Sequence, residues 1–380
     1  MICLALNKIL LKDPLIIFVK TSSYFWRRKM NKIYLSKEIS KHIGRVYGDG
    51  SQLWLTQSGS GCEFTFSGTK LELLLSCDDD SIKEDHFRNK PRVAVKVNGK
   101  IRIKKVIGQK DESFTLIDSE TPVTAKISII KLSEAAFSLC GVAVTANGEL
   151  SPVPEYAKRI EFIGDSITCG YGVDDSNTQS DFSAEAENAL KSYACICADM
   201  LETEYSLFSY SGYGIISGWT SDGVRNTNEI LPPYYEKFCR SYKKAGQTDL
   251  NEVKWDFSSQ HNDVIVLNIG TNDNSYCIHH SEGYAEFEDE YVKLLHTVHK
   301  CNPDAKIVSS IGIIGITMND SIHKAVQRFT AETGVNVYEF TFTPQNGWLG
   351  FGSNWHPSED THRYAAEELA EFIKEKHILD

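Results

Sequence analysis

The sequence predicts an all-β domain followed by an α/β domain built on a parallel sheet. Three observations predict it. Residues 44–148 hold short runs of β-branched and aromatic residues bounded by turn residues, with no helical spacing. From residue 158 onward, strand-like and helix-like runs alternate, the pattern of a parallel sheet covered on both faces. Between them, "ANGELSPVPEYAKR" carries Asn147-Gly148, Pro152 and Pro154, which mark a boundary and a short stiff connector over 149–157. The length of 380 residues agrees with two domains of about 100–200 residues each.

Residues 1–43 read as an N-terminal extension. Lys8, Lys12, Asp13 and Lys20 interrupt its apolar stretch, which falls far short of the roughly 20 residues of a membrane span. The basic cluster Arg27-Arg28-Lys29 comes last, whereas a signal peptide begins with its basic residues. Residues 1–29 are therefore read as lying ahead of a natural start at Met30 or as a tail. With no export signal, the expected location is cytoplasmic.

The β-domain spans 44–148. Its strand candidates are "QLWLTQSG", "CEFTFSG", "KLELLLS", "RVAVKVNGKIRIKKVI", "SFTLI" and "AKISIIKL". Glu63-Phe64-Thr65-Phe66 alternates polar and apolar, as a half-buried strand does. Asn98-Gly99 lies between two alternating runs and predicts a hairpin, because both central residues of that turn need positive φ. Many short strands without helices predict a β-sandwich of jelly-roll type. Trp54 is read as core.

The α/β domain spans 158–380. "RIEFIGD", "EYSLFSYSG", "DVIVLNIGTND", "AKIVSSIGI" and "NVYEFTF" are its strands. "AENALKSYACICADML", "GYAEFEDEYVKLLHTVHKC" and "THRYAAEELAEFIKEKH" are its helices. Chemistry in such sheets collects at the carboxyl ends of the strands. Ser166, Gly212 and Asn272 all fall at such ends.

Composition narrows the function. Apolar residues make up 41% and charged residues 24%, which is ordinary for a globular protein. Lys and Arg total 40 against 51 Asp and Glu, a formal charge of −11, which argues against a nucleic-acid partner. Ten cysteines are scattered without a regular framework or a C-x-x-C pair, so reduced buried thiols are expected and no metal. Cys277, His279 and His280 match no common ligand set and read as a solvated loop. His296 and His299, at i and i+3 with no carboxylate in register, read as a surface pair, and Asp78-Asp79-Asp80 as a solvated turn.

The chemistry centres on "RIEFIGDSITCGYG", residues 159–172. A strand, then Gly164-Asp165-Ser166, then a helix start exposes a hydroxyl above a sheet edge. A serine is a weak nucleophile without a base. His356, in "GSNWHPSEDTHR" just before the last helix, is the candidate. Acyl transfer also needs donors for the developing oxyanion. The backbone N–H groups of Ser166 and Gly212 and the side-chain amide of Asn272 offer three, from three strand ends. Trp355, Trp219 and Trp348 lie in loops that can line the cleft, and Tyr213 adjoins Gly212.

Gly164-Asp165-Ser166, Gly212, Gly270-Thr271-Asn272-Asp273 and Trp355-His356-Pro357 resemble, in that order, the blocks of the SGNH (GDSL) hydrolase superfamily. The resemblance covers about residues 158–380. "FIGDSITCGYG" with "WHPS", behind a small β-domain, is similar to carbohydrate esterase family 2. That resemblance implies a jelly-roll domain packed on a three-layer α/β/α SGNH domain, and removal of O-acetyl groups from xylan, mannan or related sugars. It implies Ser166 as nucleophile, His356 as base, and Ser166 N–H, Gly212 N–H and Asn272 as the oxyanion hole. Asp165 reads as a turn-stabilising residue. One position departs: Ser353 stands where the superfamily carries an aspartate, so a Ser–His dyad is expected rather than a triad. No cofactor is implied; the partner is an acetylated carbohydrate. A lipid or thioester acyl hydrolase is the second reading, and a carbohydrate-binding protein with a degenerate site the third.

Overall fold

The computed structural model describes residues 31–78, 90–134 and 138–380. The extension as far as residue 30, and Asp79-Asp80 of the charge run, lie outside the described residues. Among the described residues no helix is long and apolar enough to cross a membrane.

The first half folds as a nine-stranded antiparallel sheet. Its strands are β1 (Lys32–Ile33), β2 (Lys41–Ile43), β3 (Val46–Gly48), β4 (Leu53–Leu55), β5 (Gly61–Ser76), β6 (Arg92–Val97), β7 (Lys100–Val106), β8 (Asp111–Lys131) and β9 (Cys140–Pro152). The order runs β3-β4-β9-β5-β8-β6-β7, with β1 on β9 and β2 on β5. The hairpin at Asn98-Gly99 has φ of 50° and 77°, the two positive values that turn requires.

Two pairs of expected strands prove continuous. "CEFTFSG" and "KLELLLS" are both β5, and "SFTLI" and "AKISIIKL" are both β8. A register shift between Gly68 and Lys70 explains the apparent break. Phe64 and Phe66 are buried before it, and Leu71, Leu73 and Leu75 after it. The inward-facing parity changes by one residue, as a bulge dictates, while pairing continues through the bend.

The second half holds a five-stranded parallel sheet of β10 (Arg159–Gly164), β11 (Glu204–Ser209), β14 (Val264–Asn268), β15 (Lys306–Ile311) and β16 (Val337–Thr341). A small hairpin of β12 (Lys244–Ala245) and β13 (Thr248–Asp249) sits outside it. The helices are α1 (Ser166–Cys169), α2 (Tyr193–Met200), α3 (Thr271–Cys277), α4 (Glu282–Cys301), α5 (Asn319–Thr333) and α6 (Glu359–Glu375). Ile160 and Phe162 of β10 pack with α2 and α6 on one face; Ile163 packs with α4 and α5 on the other. This is the expected α/β/α layering. The helix anticipated across 186–201 is shorter, because Ser192 is extended and breaks it from a single turn at Ala189–Lys191. Helices α3 and α5 were not anticipated.

The strand order β11-β10-β14-β15-β16 reverses direction between β10 and β14. Such a switch point opens a crevice beyond the carboxyl ends of the strands. Ser166 follows β10 and Asn272 follows β14, so the fold itself brings the two residues to one crevice.

The two sheets share buried ion pairs. Arg45, fully buried, reaches Glu161 of β10 at 3.1 Å. Lys41 of β2 lies 2.9 Å from Glu204 of β11 and 3.0 Å from Glu63. Trp54 is buried beside Phe238 and Leu250 of the second half and is core, as read. The nine described cysteines are free, and all but the half-buried Cys301 are buried. Cys277 is not in a loop: it closes α3 and packs in the core. His296 does meet a carboxylate, Glu332 at 2.7 Å, supplied by the neighbouring helix α5 rather than by its own.

Candidate active site

The apolar run of β10 is buried and stops at Gly164. Asp165 caps the short helix that follows, its Oδ1 accepting the Ile167 N–H at 3.0 Å. This lifts Ser166 above the sheet edge at the first position of α1. Its Oγ lies 2.9 Å from His356 Nε2. The two residues are far apart in sequence, and the α/β/α layering brings them together.

His356 sits in a loop ahead of α6. Asn354 and Trp355 there take left-handed φ of 50° and 60°, uncommon for residues with side chains. The turn brings the Asn354 carbonyl to 3.2 Å from His356 Nδ1. A carbonyl can only accept, so this contact places the proton on Nδ1 and leaves Nε2 as the acceptor facing Ser166 Oγ. Burial pushes the His356 imidazole down to about 4, against the opposing hydrogen bonds of the Asn354 and Ser353 backbone. The ring is also stacked on Tyr171, centroids 3.9 Å apart.

Gly212 and Asn272 line the same cleft as Ser166 and His356. The cleft has a volume of about 760 Å³. The Asn272 amide is aimed by two acceptors, the Tyr213 carbonyl at 2.8 Å and Asp165 Oδ2 at 3.3 Å. The backbone N–H groups of Ile215, Ile216 and Ser217 all donate to the neighbouring Asp273, tying the loop after β11 to α3. Burial pushes Asp165 up to about 7, with the charge of Asp273 adding to it. Burial raises Asp273 to about 6.

Of the four expected substrate-facing aromatics, Trp355 and Trp219 line the cleft and are more than half exposed. Tyr213 and Trp348 do not line it. The Tyr213 ring is buried against Tyr210, leaving only its carbonyl to serve the site. Trp348 is 87% exposed and is no part of the lining.

The sequence reading missed Tyr171, Phe182 and Glu134, all on the cleft wall. Tyr171 lies between Gly170 and Gly172, and an aromatic so placed soon after Ser166 was the available signal. Glu134 comes from the β-domain, and nothing local marks it. With Cys169 and Glu187 it forms a group of possible metal ligands within 4.8 Å of one another. Burial raises the Glu134 and Glu187 carboxyls, and the buried Lys131 ammonium that shares their space pulls the other way; its positive charge opposes a cation there.

A family model described as GDSL-like lipase/acylhydrolase matches residues 160–369. A cellulase/esterase of Acetivibrio thermocellus, CelE, is 28% identical over 325 residues, covering 84% of this chain and 37% of the relative. The chain thus spans little more than a third of that relative's length. The acetyl xylan esterase Est2A of Butyrivibrio proteoclasticus superposes with a TM-score of 0.81 at 25% identity, over 92% of this chain and 98% of that one. A family two carbohydrate esterase of Clostridium thermocellum, solved with cellohexaose, superposes with a TM-score of 0.75 at 25% identity, over 89% and 99% of the two chains.

Proposed function

The chain belongs to the GDSL-like lipase/acylhydrolase family, and from that premise we propose that it is a serine esterase removing O-acetyl groups from carbohydrates of the acetylated xylo- and manno-oligosaccharide class. The observation that carries this is the 2.9 Å contact of Ser166 Oγ with His356 Nε2 in a cleft walled by Gly212 and Asn272 and rimmed by Trp219 and Trp355. Similarity to an acetyl xylan esterase and to a cellohexaose-bound carbohydrate esterase supports the substrate class.

In this reading His356 Nε2 takes the Ser166 proton as Oγ attacks the acetyl carbonyl. The tetrahedral oxyanion is met by Ser166 N–H and Gly212 N–H, and by the Asn272 amide as it gives up its longer contact, 3.3 Å to Asp165 Oδ2, while keeping the one to the Tyr213 carbonyl. Protonated His356 gives its proton to the departing sugar oxygen, leaving an acetylated Ser166. Water, activated by the same imidazole, then releases acetate and restores the serine. Flat indole faces at the rim suit the apolar faces of sugar rings.

The test is product mapping by NMR on acetylated xylo- and manno-oligosaccharides, with Ser166→Ala as control. Release of acetate by the wild type and a loss of about 10³-fold or more in Ser166→Ala are expected. Turnover of p-nitrophenyl esters that rises from acetate to octanoate would instead favour the lipid-directed reading, since the cleft also carries Ile278, Ile314 and Met318.

A further inference from the structure

The β-domain touches the active centre through Glu134. This residue follows β8 and lines the cleft with Ser166, Gly212 and His356. Its Oε2 accepts the backbone N–H of Ser211 at 2.6 Å and lies 3.6 Å from the Cys169 thiol, whose nearer partner is Ser209 Oγ at 3.2 Å. Ser211 directly precedes Gly212, and Cys169 closes the helix that begins with Ser166. One carboxylate oxygen from the β-domain therefore meets the segment of the nucleophile and the segment of an oxyanion donor. Glu134 is itself held, because Lys131 Nζ and Ser138 Oγ donate to its carbonyl at 2.6 and 3.2 Å. Beyond Gly212, the Trp219 N–H donates to the Gly212 carbonyl at 2.8 Å. The Gly212 N–H thus lies between two anchors, one on the Ser211 nitrogen and one on its own carbonyl.

We propose that Glu134 is a positioning residue, carried by the β-domain, that holds Ser211 so that the Gly212 N–H is fixed as an oxyanion donor. Burial raises the Glu134 carboxyl above the ordinary range and Lys131 opposes that shift; the Ser211 N–H at 2.6 Å needs its Oε2 as an acceptor, and an oxyanion hole acts through donors fixed before the charge develops. The proposal rests on the esterase reading of this cleft and gives the β-domain a part in catalysis.

The test uses the full chain with p-nitrophenyl acetate. Glu134→Ala is expected to lower kcat by about tenfold or more with KM changed less than about twofold, since only transition-state stabilisation is lost. Glu134→Gln keeps an oxygen that can accept the Ser211 N–H and is expected to stay within about threefold of wild-type kcat. Its neutral acceptor binds more weakly, so amide hydrogen exchange across Ser211–Trp219 should quicken; this measurement decides the matter if Glu134→Ala does not fold. A wild-type kcat in Glu134→Ala, an equal loss in both variants, or unchanged exchange in Glu134→Gln would each overturn the proposal. Ser166→Ala separates the two levels. If it turns over normally, the esterase reading fails and takes this inference with it. If it is inactive while both Glu134 variants are unimpaired, only this inference fails.

Discussion

The imidazole of His356 lies face to face on the ring of Tyr171, centroids 3.9 Å apart and planes 26° from parallel. Phe182 packs on the Tyr171 ring at 5.0 Å, so the support is itself supported. Among the described residues no carboxylate bonds the imidazole. Its orientation rests on the Asn354 carbonyl and on this stack. Tyr171→Ala should therefore let the ring tilt away from Ser166 and lower kcat by about 10²-fold, the scale of a misplacement near 1 Å. Tyr171→Phe keeps the ring and should retain most of the activity. Steady-state kinetics on an aryl acetate check both; wild-type turnover in Tyr171→Ala would show that the stack does not hold the base.

The pH dependence follows from burial. His356 is pushed down to about 4 from the ordinary 6.5, so the neutral base persists well into acid. The acid limb of kcat/KM is expected near pH 4, not near 6.5. Stability moves in the same sense. The unfolded chain binds the proton more tightly than the native state, so the contribution of the buried neutral ring is present above pH 6.5 and is lost as the pH falls toward 4. His362, pushed down to about 3 by burial, acts in the same direction. An acid limb at 6.5 or above, read from initial rates across about pH 3–7.5 (a span of roughly one unit either side of the two values), would contradict this environment for His356.

What was legible in the sequence was what repeats or what punctuates. Alternation marked the β-runs, Asn98-Gly99 marked a hairpin, and the glycine-framed serine marked a strand end. The bulge at Gly68–Lys70 was illegible, because one extra residue reads as a break between two strands. Helix α5 was legible and unread: Ile322, Ala325, Val326 and Phe329 keep helical spacing and are buried. Asn354, whose carbonyl serves where an aspartate was sought, could not be read, because a backbone oxygen has no residue-specific signature. Glu134 and Tyr213 show the same limit. One enters the cleft from another domain, and the other turns its ring away while lending its carbonyl.

Gly172 sits where the loop of His356 packs against the loop that follows Ser166. Its φ is +72°, and a Cβ there would stand 2.6 Å from Ser353 Oγ and 2.8 Å from the Ser353 carbonyl. The Gly172 carbonyl also accepts the Ser353 N–H at 3.1 Å. Gly172→Ala would add about 1–2 kcal/mol of left-handed backbone strain and push the 353–356 segment away from Ser166. Activity should fall by about tenfold or more, together with a lowered Tm. Thermal denaturation and kinetics on the same preparation check this; a variant equal to wild type in both would mean that the segment yields without moving the base.

Arg45 joins the β-domain to β10, the strand that leads to Ser166. Its guanidinium donates to the Tyr235 and Lys237 carbonyls at 2.8 and 2.7 Å, pairs with Glu161 at 3.1 Å, and lies 4.2 Å over the Phe208 ring. Both side chains of the pair are essentially without solvent exposure. Removing the cation alone leaves the Glu161 carboxylate with the Tyr235 hydroxyl at 2.8 Å and no countercharge. Arg45→Ala is therefore expected to cost about 3–5 kcal/mol, the usual effect of stranding one partner of a buried pair. Arg45→Met with Glu161→Leu removes both charges and should recover much of that loss, because neither desolvation penalty then remains. Urea unfolding midpoints measure the three proteins side by side. A single variant within about 1 kcal/mol of wild type would show that solvent reaches Glu161 and that the pair is no interdomain staple.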